Sequence, residues 1–263
     1  MEKLLIKGGA SLKGEISCSG AKNAALPMIA ATILSDEDII LKKLPYLQDI
    51  TTMFELLGSM GAHILLNENM DFTIASNNLK EKEARYELVK TMRASILVLG
   101  PLVAKYGEAK IALPGGCAIG TRPVNYHLDA LEQLGATITL KNGYIEASAK
   151  KLIGSKIKFD GITVTGTENI MMAACLAEGT TTLTNVAKEP EIIDLAEFLN
   201  KMGAKISGAG SDKITIEGVR RLHGTIHSIP ADRIEAGTYL VAALVTKGEI
   251  KINGINPNRL IKV

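Results

Sequence analysis

An α+β fold of repeated units is predicted by three copies of a short motif and by the patterns beside each copy. The motif is Leu or Met followed by Gly and Ala, at residues 60–62, 134–136 and 202–204. Each copy follows a segment whose apolar residues recur every three or four positions, which predicts a helix. The three predicted helices are residues 49–60, 125–134 and 191–202. Because glycine adopts the left-handed conformation at little cost, Gly61, Gly135 and Gly203 are predicted to end them.

Each unit also has an earlier helix that is rich in Ala and Leu. These predicted helices are residues 24–34, 94–106 and 170–178. Each leads into a β-rich run, at 39–41, 109–113 and 181–183. The order in a unit is therefore helix, strand, helix and a two-stranded meander, such as 136–140 with 144–147. Each unit needs its neighbours to bury its apolar helix.

A fourth unit begins and is not completed by residue 263. Residues 237–245 predict another Ala/Leu-rich helix and 249–252 another strand, while 12–16 resemble 222–226. We therefore expect residues 22–229 to form a three-unit domain. Residues 1–21 and 230–263 are expected to form an incomplete part of a second, similar domain. A short protein with a frayed end is the alternative.

Composition excludes several classes of function. The 263 residues carry 30 basic and 28 acidic side chains and no Trp, so neither a polyanion-binding surface nor a base-stacking surface is indicated. No apolar run approaches the roughly 18 residues of a membrane span. Three cysteines without a CxxC pair are typical of a reducing cytoplasm. We expect no nucleic-acid or membrane partner, no metal and no cofactor.

The loop at residues 113–123 carries the strongest chemical signal. It follows a strand-like run, and two adjacent glycines allow the backbone to turn sharply and approach a ligand. Cys117 lies five residues before Arg122, whose guanidinium would favour the thiolate and can grip phosphate or carboxylate. A surface loop with an incidental cysteine is the alternative. Cys175, within an Ala- and Met-rich helix, is predicted to be an inert core thiol.

Polar residues precede each Ala/Leu-rich helix at corresponding positions. They are Lys22 with Asn23, Arg93, Thr167 with Glu168 and Asn169, and Asp232 with Arg233. Helix N-termini present unpaired N–H groups and attract anions, so units packed around a pseudo-symmetry axis could converge on one anion-binding cleft. Ordinary solvated or capping residues are the alternative.

With these features in place, the chain resembles the enolpyruvyl transferases, in particular those of peptidoglycan synthesis. The matching segments are residues 19–27, 88–95, 114–123, 189–192 and 230–235. The resemblance implies two similar domains, each of three βαβαββ-type units around a pseudo-threefold axis, with the active-site cleft between them. The second of these domains would be truncated in this chain.

The resemblance also implies the reaction and its residues. The enolpyruvyl group of phosphoenolpyruvate would be transferred to the 3′-hydroxyl of UDP-N-acetylglucosamine, with release of phosphate. Cys117 would donate a proton to phosphoenolpyruvate and be the target of fosfomycin. Lys22 and Asn23 would contact phosphoenolpyruvate, and Arg93 and Arg122 would help to hold the anionic substrates.

Further positions match substrate contacts of the family. Arg122, Pro123, Val124, Asn125 and Tyr126 match a segment that contacts the uridine nucleotide, and His127 follows it. Thr163, Val164, Thr165 and Gly166 match a diphosphate site at a helix start. Glu189, Asp232 and Arg233 match residues of the cleft. A lysine common before the diphosphate site is replaced here by Gly161, which puts one contact in doubt.

The family's catalytic aspartate and further arginines would lie beyond residue 263, so the chain alone is predicted not to turn over. Two other hypotheses remain at this point. One is a non-catalytic nucleotide-sugar binding module, and the other is a sister transferase with another acceptor, against which the Cys117 loop argues. Association into a homo-oligomer through the incomplete domain is a further expectation.

Overall fold

The computed structural model describes residues 3–5, 7–113 and 124–262. The chain divides into two compact units. The smaller unit contains Met1–Ala21 and Pro230–Val263, and the larger one contains Lys22–Ile229.

The described residues contain fourteen strands and eight α-helices. The strands are β1 (Lys13–Ser17), β2 (Ile39–Lys42), β3 (His63–Leu66), β4 (Phe72–Ala75), β5 (Glu83–Ala84), β6 (Glu108–Ala112), β7 (Thr137–Lys141), β8 (Tyr144–Ser148), β9 (Lys156–Lys158), β10 (Thr180–Thr184), β11 (Lys205–Ser207), β12 (Lys213–Glu217), β13 (Ile226–Ser228) and β14 (Glu249–Asn253). The α-helices are α1 (Lys22–Ala31), α2 (Gln48–Met60), α3 (Tyr86–Val89), α4 (Leu99–Tyr106), α5 (Asn125–Gln133), α6 (Val164–Ala174), α7 (Pro190–Lys201) and α8 (Arg233–Val245). Short 3₁₀ segments cover Thr32–Leu34, Arg93–Val98 and Pro257–Lys262.

Three sheets of the same topology organise the larger unit. Their strand orders are β13-β2-β4-β3, β5-β6-β8-β7 and β9-β10-β12-β11. In each sheet the first two strands are parallel and the remaining pairs are antiparallel. The second strand of each order (β2, β6 and β10) follows a largely buried helix, and the last two strands form a meander that follows an amphipathic helix. The predicted order of helix, strand, helix and meander is therefore confirmed in all three units.

The three motif glycines end their helices as the sequence predicts. Gly61, Gly135 and Gly203 have φ angles of 108°, 95° and 98°. An L-residue with a Cβ is strained in this region, whereas glycine is not. Each glycine follows α2, α5 or α7 and reverses the chain into the first strand of a meander.

The core of the larger unit lies around α1, α4 and α6. All eight residues from 24 to 31 of α1 are buried. At Gly100 of α4, an added Cβ would lie 2.5 Å from the backbone oxygen of Asn169 in α6, so only glycine permits this approach. Helix α6 starts at Val164, earlier than the predicted 170. Thr167, Glu168 and Asn169 are consequently buried inside the helix, and the prediction that they precede it is wrong.

The smaller unit pairs β1 with β14 in parallel and adds α8. Asp232 caps α8, since its Oδ1 accepts hydrogen bonds from the N–H groups of Ile234 (2.8 Å) and Glu235 (3.3 Å). The strand that precedes α1 in sequence, β1, thus belongs to the smaller unit, whereas β13, which precedes α8, belongs to the larger one. No helix in the described ranges is both long and apolar enough to cross a membrane.

Candidate functional site

A cavity of about 710 Å³ opens where several helical segments of the larger unit begin. The starts of α1, of the segment Arg93–Val98, of α5 and of α6 all contribute to its lining. Most of the sequence-predicted site residues that the structure describes in this unit meet here: Lys22, Asn23, Arg93, Val124, Tyr126, Thr163, Val164 and Thr165. The volume falls within the range of small-molecule sites.

The α1 end of the cavity carries an ion pair. Lys22 Nζ lies 2.8 Å from Asp49 Oδ2, and the two side chains are 39% and 35% exposed. Asp49 lies in the first turn of α2 and also lines the cavity. The sequence pattern does not single out Asp49 as a site residue, because an acidic residue in a first helical turn is normally explained by the helix dipole. The pair leaves Lys22 solvated and its charge partly balanced.

The α6 end of the cavity is built for an anion. Thr163 is the N-cap, and its Oγ1 accepts a hydrogen bond from the N–H of Gly166 at 3.2 Å. The N–H groups of Val164 and Thr165 lie in the first turn, where the helix itself has no acceptor for them. Together with the positive end of the helix dipole they suit a phosphate or carboxylate.

His127 lies beneath this surface in a buried polar chain. Its Nε2 lies 3.3 Å from Thr165 Oγ1, and its Nδ1 lies 2.9 Å from Asn169 Nδ2. Burial, with a smaller contribution from the positive charge of Arg93, lowers the pKa of His127 to about 4. The imidazole is therefore neutral at physiological pH. The sequence pattern predicts Asn169 at a helix start, whereas the structure places it inside α6 in contact with His127.

Gly161 and Tyr126 are fitted to each other at the edge of the cavity. A Cβ on Gly161 would lie 2.5 Å from the hydroxyl oxygen of Tyr126 and 3.0 Å from the adjoining ring carbon. A lysine at this position would require Tyr126 to move. The departure noted in the sequence thus coincides with a phenol that occupies the adjoining space.

Other predicted residues lie outside the cavity lining. Asn125 is exposed in the first turn of α5, and Gly166 is buried in that of α6. Glu189 is the N-cap residue of α7, and its Oε2 is buried without a hydrogen-bond partner among the described residues. Asp232 and Arg233 begin α8 in the smaller unit. Cys117, Arg122 and Pro123 lie outside the described residues.

Glu168 is a further buried acid of α6. Burial, together with the negative charges of Glu191 and Glu189, raises its pKa well above the ordinary value. Its Oε1 has no hydrogen-bond partner in the described part of the chain. Across the same residues, no group of three or more His, Cys, Asp or Glu side chains is arranged to hold a metal ion.

Two cysteines are described, and their surroundings differ. Cys175 is fully buried at the end of α6, and burial raises its pKa to about 12. Cys18, in the smaller unit, is partly exposed, and its pKa is raised by burial and by the negative charges of Glu235 and Asp232. Neither environment favours a thiolate.

Residues 6–262 match the family of EPSP synthase (3-phosphoshikimate 1-carboxyvinyltransferase). The chain therefore belongs to this family. It is 55% identical over 257 residues to the UDP-N-acetylglucosamine 1-carboxyvinyltransferase of Magnetococcus marinus, covering 98% of this chain and 61% of the relative. It is 56% identical over 261 residues to the enzyme of the same name from Coxiella burnetii, covering 99% and 60%. The chain thus spans about three fifths of the length of these relatives.

Solved structures agree on the fold. The enolpyruvyl transferase NikO from Streptomyces tendae superposes with a TM-score of 0.84 at 23% identity, covering 97% of this chain and 61% of that one. The EPSP synthase from Acinetobacter baumannii gives 0.75 at 21% identity, covering 95% and 57%. The predicted α+β fold of enolpyruvyl transferase-like repeats is thereby confirmed.

Proposed function

We propose that the chain carries substrate-binding and catalytic groups of a transferase that moves the enolpyruvyl group of phosphoenolpyruvate to the 3′-hydroxyl of UDP-N-acetylglucosamine and releases phosphate. The reaction would belong to peptidoglycan synthesis in the cytoplasm. One observation carries the proposal: the cavity that gathers Lys22, Arg93 and the start of α6. Relatives 52–56% identical over nearly the whole chain are named for this transfer, which supports it.

The chemistry requires a proton donor and a cationic site. Protonation of the methylene carbon of phosphoenolpyruvate develops positive charge at C2, where the sugar hydroxyl adds and loses its proton. Loss of a methyl proton and of phosphate then restores the double bond. We assign the first proton to Cys117. Lys22 and Asn23 are assigned to phosphoenolpyruvate, and Arg93 and Arg122 to the substrate anions.

The nucleotide is assigned to the other side of the same cavity. The first turn of α6, from Thr163 to Gly166, would bind the diphosphate through its N–H groups. The segment from Arg122 to Tyr126 would contact the uridine. We keep Glu189, Asp232 and Arg233 as candidate substrate contacts, because they match cleft residues of the family.

Binding is tested by calorimetry with UDP-N-acetylglucosamine and, separately, with phosphoenolpyruvate. Lys22→Ala and Arg93→Ala are expected to weaken substrate binding. Lys151→Ala is the matched control, since Lys151 also forms an exposed ion pair, at 3.0 Å from Glu178, away from the cavity. Equal effects of Lys22→Ala and Lys151→Ala on both substrates would argue against the assigned site.

The proposed role of Cys117 is tested by exposing the chain to fosfomycin and mapping the modified peptide by mass spectrometry. Cys117 is expected to be labelled, while Cys18 and Cys175 are spared because their pKa values are raised. Cys117→Ser is the control. Nucleotide-sugar binding without labelling would instead favour a non-catalytic binding module.

Turnover by the 263-residue chain alone is a separate question. The groups that would accept the hydroxyl proton and complete the phosphoenolpyruvate site are expected beyond residue 263, so we propose that this polypeptide alone is inactive. Phosphate release is measured with both substrates present. Saturable release that depends on both of them would contradict the proposal.

A further inference from the structure

The orientation of the Asn169 amide is fixed by two backbone groups. Its Oδ1 accepts a hydrogen bond from the N–H of Gly100 at 2.7 Å, and its Nδ2 donates to the carbonyl oxygen of Ile96 at 2.9 Å. A backbone N–H can only donate and a backbone carbonyl can only accept, so rotating the amide by 180° would break both bonds. The second N–H of Nδ2 is therefore available to His127 Nδ1, 2.9 Å away.

This orientation determines the tautomer of His127. Because Nδ1 faces an N–H donor, it must carry the lone pair. The buried imidazole is neutral, so its proton lies on Nε2. Nε2 lies 3.3 Å from Thr165 Oγ1, and the Nε2–H therefore donates to the hydroxyl oxygen of Thr165.

The hydroxyl of Thr165 is left with its own proton to donate. Its oxygen accepts the hydrogen bond from His127 Nε2–H, and His127 is its sole hydrogen-bond partner within the described ranges. Thr165 lines the cavity in the first turn of α6, beside backbone N–H groups without an acceptor in the helix. This surface thus presents donors to a ligand.

We infer that Asn169 and His127 are positioning residues that commit the Thr165 hydroxyl to donate a hydrogen bond to a phosphate oxygen of the ligand. The inference rests on the proposed function in that the cavity is taken as the nucleotide-sugar site. It adds that the buried hydrogen bonds of Asn169 and His127 are in place before the ligand binds. Such a chain favours a group that only accepts hydrogen bonds, as an ionised diphosphate does, over a group that donates.

The first test reads the tautomer without ligand, by ¹⁵N-resolved NMR of histidine-labelled protein, with His127→Asn to assign the signal. The Nε2–H form is expected. In Asn169→Asp, a carboxylate that can only accept faces Nδ1, so that nitrogen should gain a proton and the imidazole pKa should rise. An Nδ1–H tautomer in the unaltered protein would overturn the inference. The tautomer is measured in the unaltered protein, and His127→Asn is needed only to assign the signal. The test therefore remains decisive if Asn169→Asp is unstable.

The second test measures the affinity for UDP-N-acetylglucosamine by calorimetry. Thr165→Val should bind about tenfold more weakly, whereas Thr165→Ser should retain affinity to within about twofold. Asn169→Asp should weaken binding when Thr165 is present. In a double variant with Thr165→Val it should weaken binding little further, because its effect is transmitted through the Thr165 hydroxyl. Equal affinity of the Val and Ser variants would overturn the donor role. Failure of the unaltered chain to bind would overturn both the proposed function and this ligand assignment, while the tautomer reading would show whether the buried chain itself exists.

Discussion

The two ends of the candidate cavity hold their polar groups in different ways. At the α1 end, Lys22 pairs with Asp49 through side chains that are each more than one third exposed. At the α6 end, Asn169 and His127 are 0% and 2% exposed and are bonded to backbone and to each other. An exposed ion pair can exchange partners when a charged ligand arrives, whereas a buried chain of hydrogen bonds is fixed in advance. One side of the site is thus adaptable and the other is preorganised.

The largest effect is expected from Asn169→Leu. The change leaves the N–H of Gly100, the carbonyl of Ile96 and Nδ1 of His127 without their partner, and each buried polar group left unsatisfied costs about 1–3 kcal/mol. We expect the free energy of unfolding to fall by about 3–5 kcal/mol, measured by urea titration. Thr181→Val is the matched control, because the buried Thr181 Oγ1 has no partner among the described residues. A loss below about 1 kcal/mol for Asn169→Leu would contradict the preorganised end.

The next largest effect is expected in the pH dependence of the free energy of unfolding, to which the buried His127 at the α6 end contributes. His127 has a pKa of about 4 when folded, below its ordinary value, so between about 4 and 6.5 the unfolded chain binds a proton that the folded chain excludes. Stability from this group is complete above about 6.5 and declines as the pH falls to 4, by roughly 3 kcal/mol in total. Urea titrations across this range, compared with His127→Asn, isolate the contribution. Parallel pH profiles for the two proteins would count against a buried neutral imidazole.

Gly100→Ala tests the close approach that supports the buried chain. The φ of Gly100 is not in the left-handed region, so the effect of the methyl group is steric: it would meet the backbone oxygen of Asn169 at 2.5 Å. We expect about 1–3 kcal/mol of destabilisation by thermal or urea unfolding. Gly58→Ala is the control, since its nearest neighbour is a side-chain carbon of Ile64 at 4.0 Å. Equal stabilities of the two variants would show that α4 and α6 can separate without cost.

The smallest effect on stability is expected at the adaptable end. Asp49→Asn removes a partly exposed ion pair, which contributes about 0–1 kcal/mol, so the melting temperature should hardly change. The affinity for phosphoenolpyruvate, measured by calorimetry, should instead rise a few-fold as Lys22 loses its competing carboxylate. A large loss of stability with unchanged affinity would show that this pair has a structural role.

Much of the fold was accessible from the sequence because its signals are local. The glycines after α2, α5 and α7 and the strand pairs that follow them lie within short stretches of chain. Lys22 and Arg93 precede helices that the sequence pattern predicts, whereas Thr163 is indicated by the resemblance to the family; helix starts of units packed around a pseudo-symmetry axis could converge on one cleft.

The remaining parts of the site depend on contacts between distant residues. Asp49 pairs with Lys22 from another helix, and Asn169 contacts residues of α4, α5 and the segment Arg93–Val98. The polar run at 167–169 resembles a helix cap, and this pattern misled the prediction of where α6 begins. A buried asparagine is stable inside α6 because three groups from elsewhere in the chain satisfy it, which local periodicity does not reveal.

The pairing of β13 with β2 has a consequence for synthesis on the ribosome. Ile226 pairs with Ile40, so the first sheet of the larger unit cannot be completed until nearly the whole unit has emerged. The second and third sheets close over much shorter stretches of chain. During translation the edge of β2 therefore stays unpaired longest, and this nascent segment depends most on protection from aggregation.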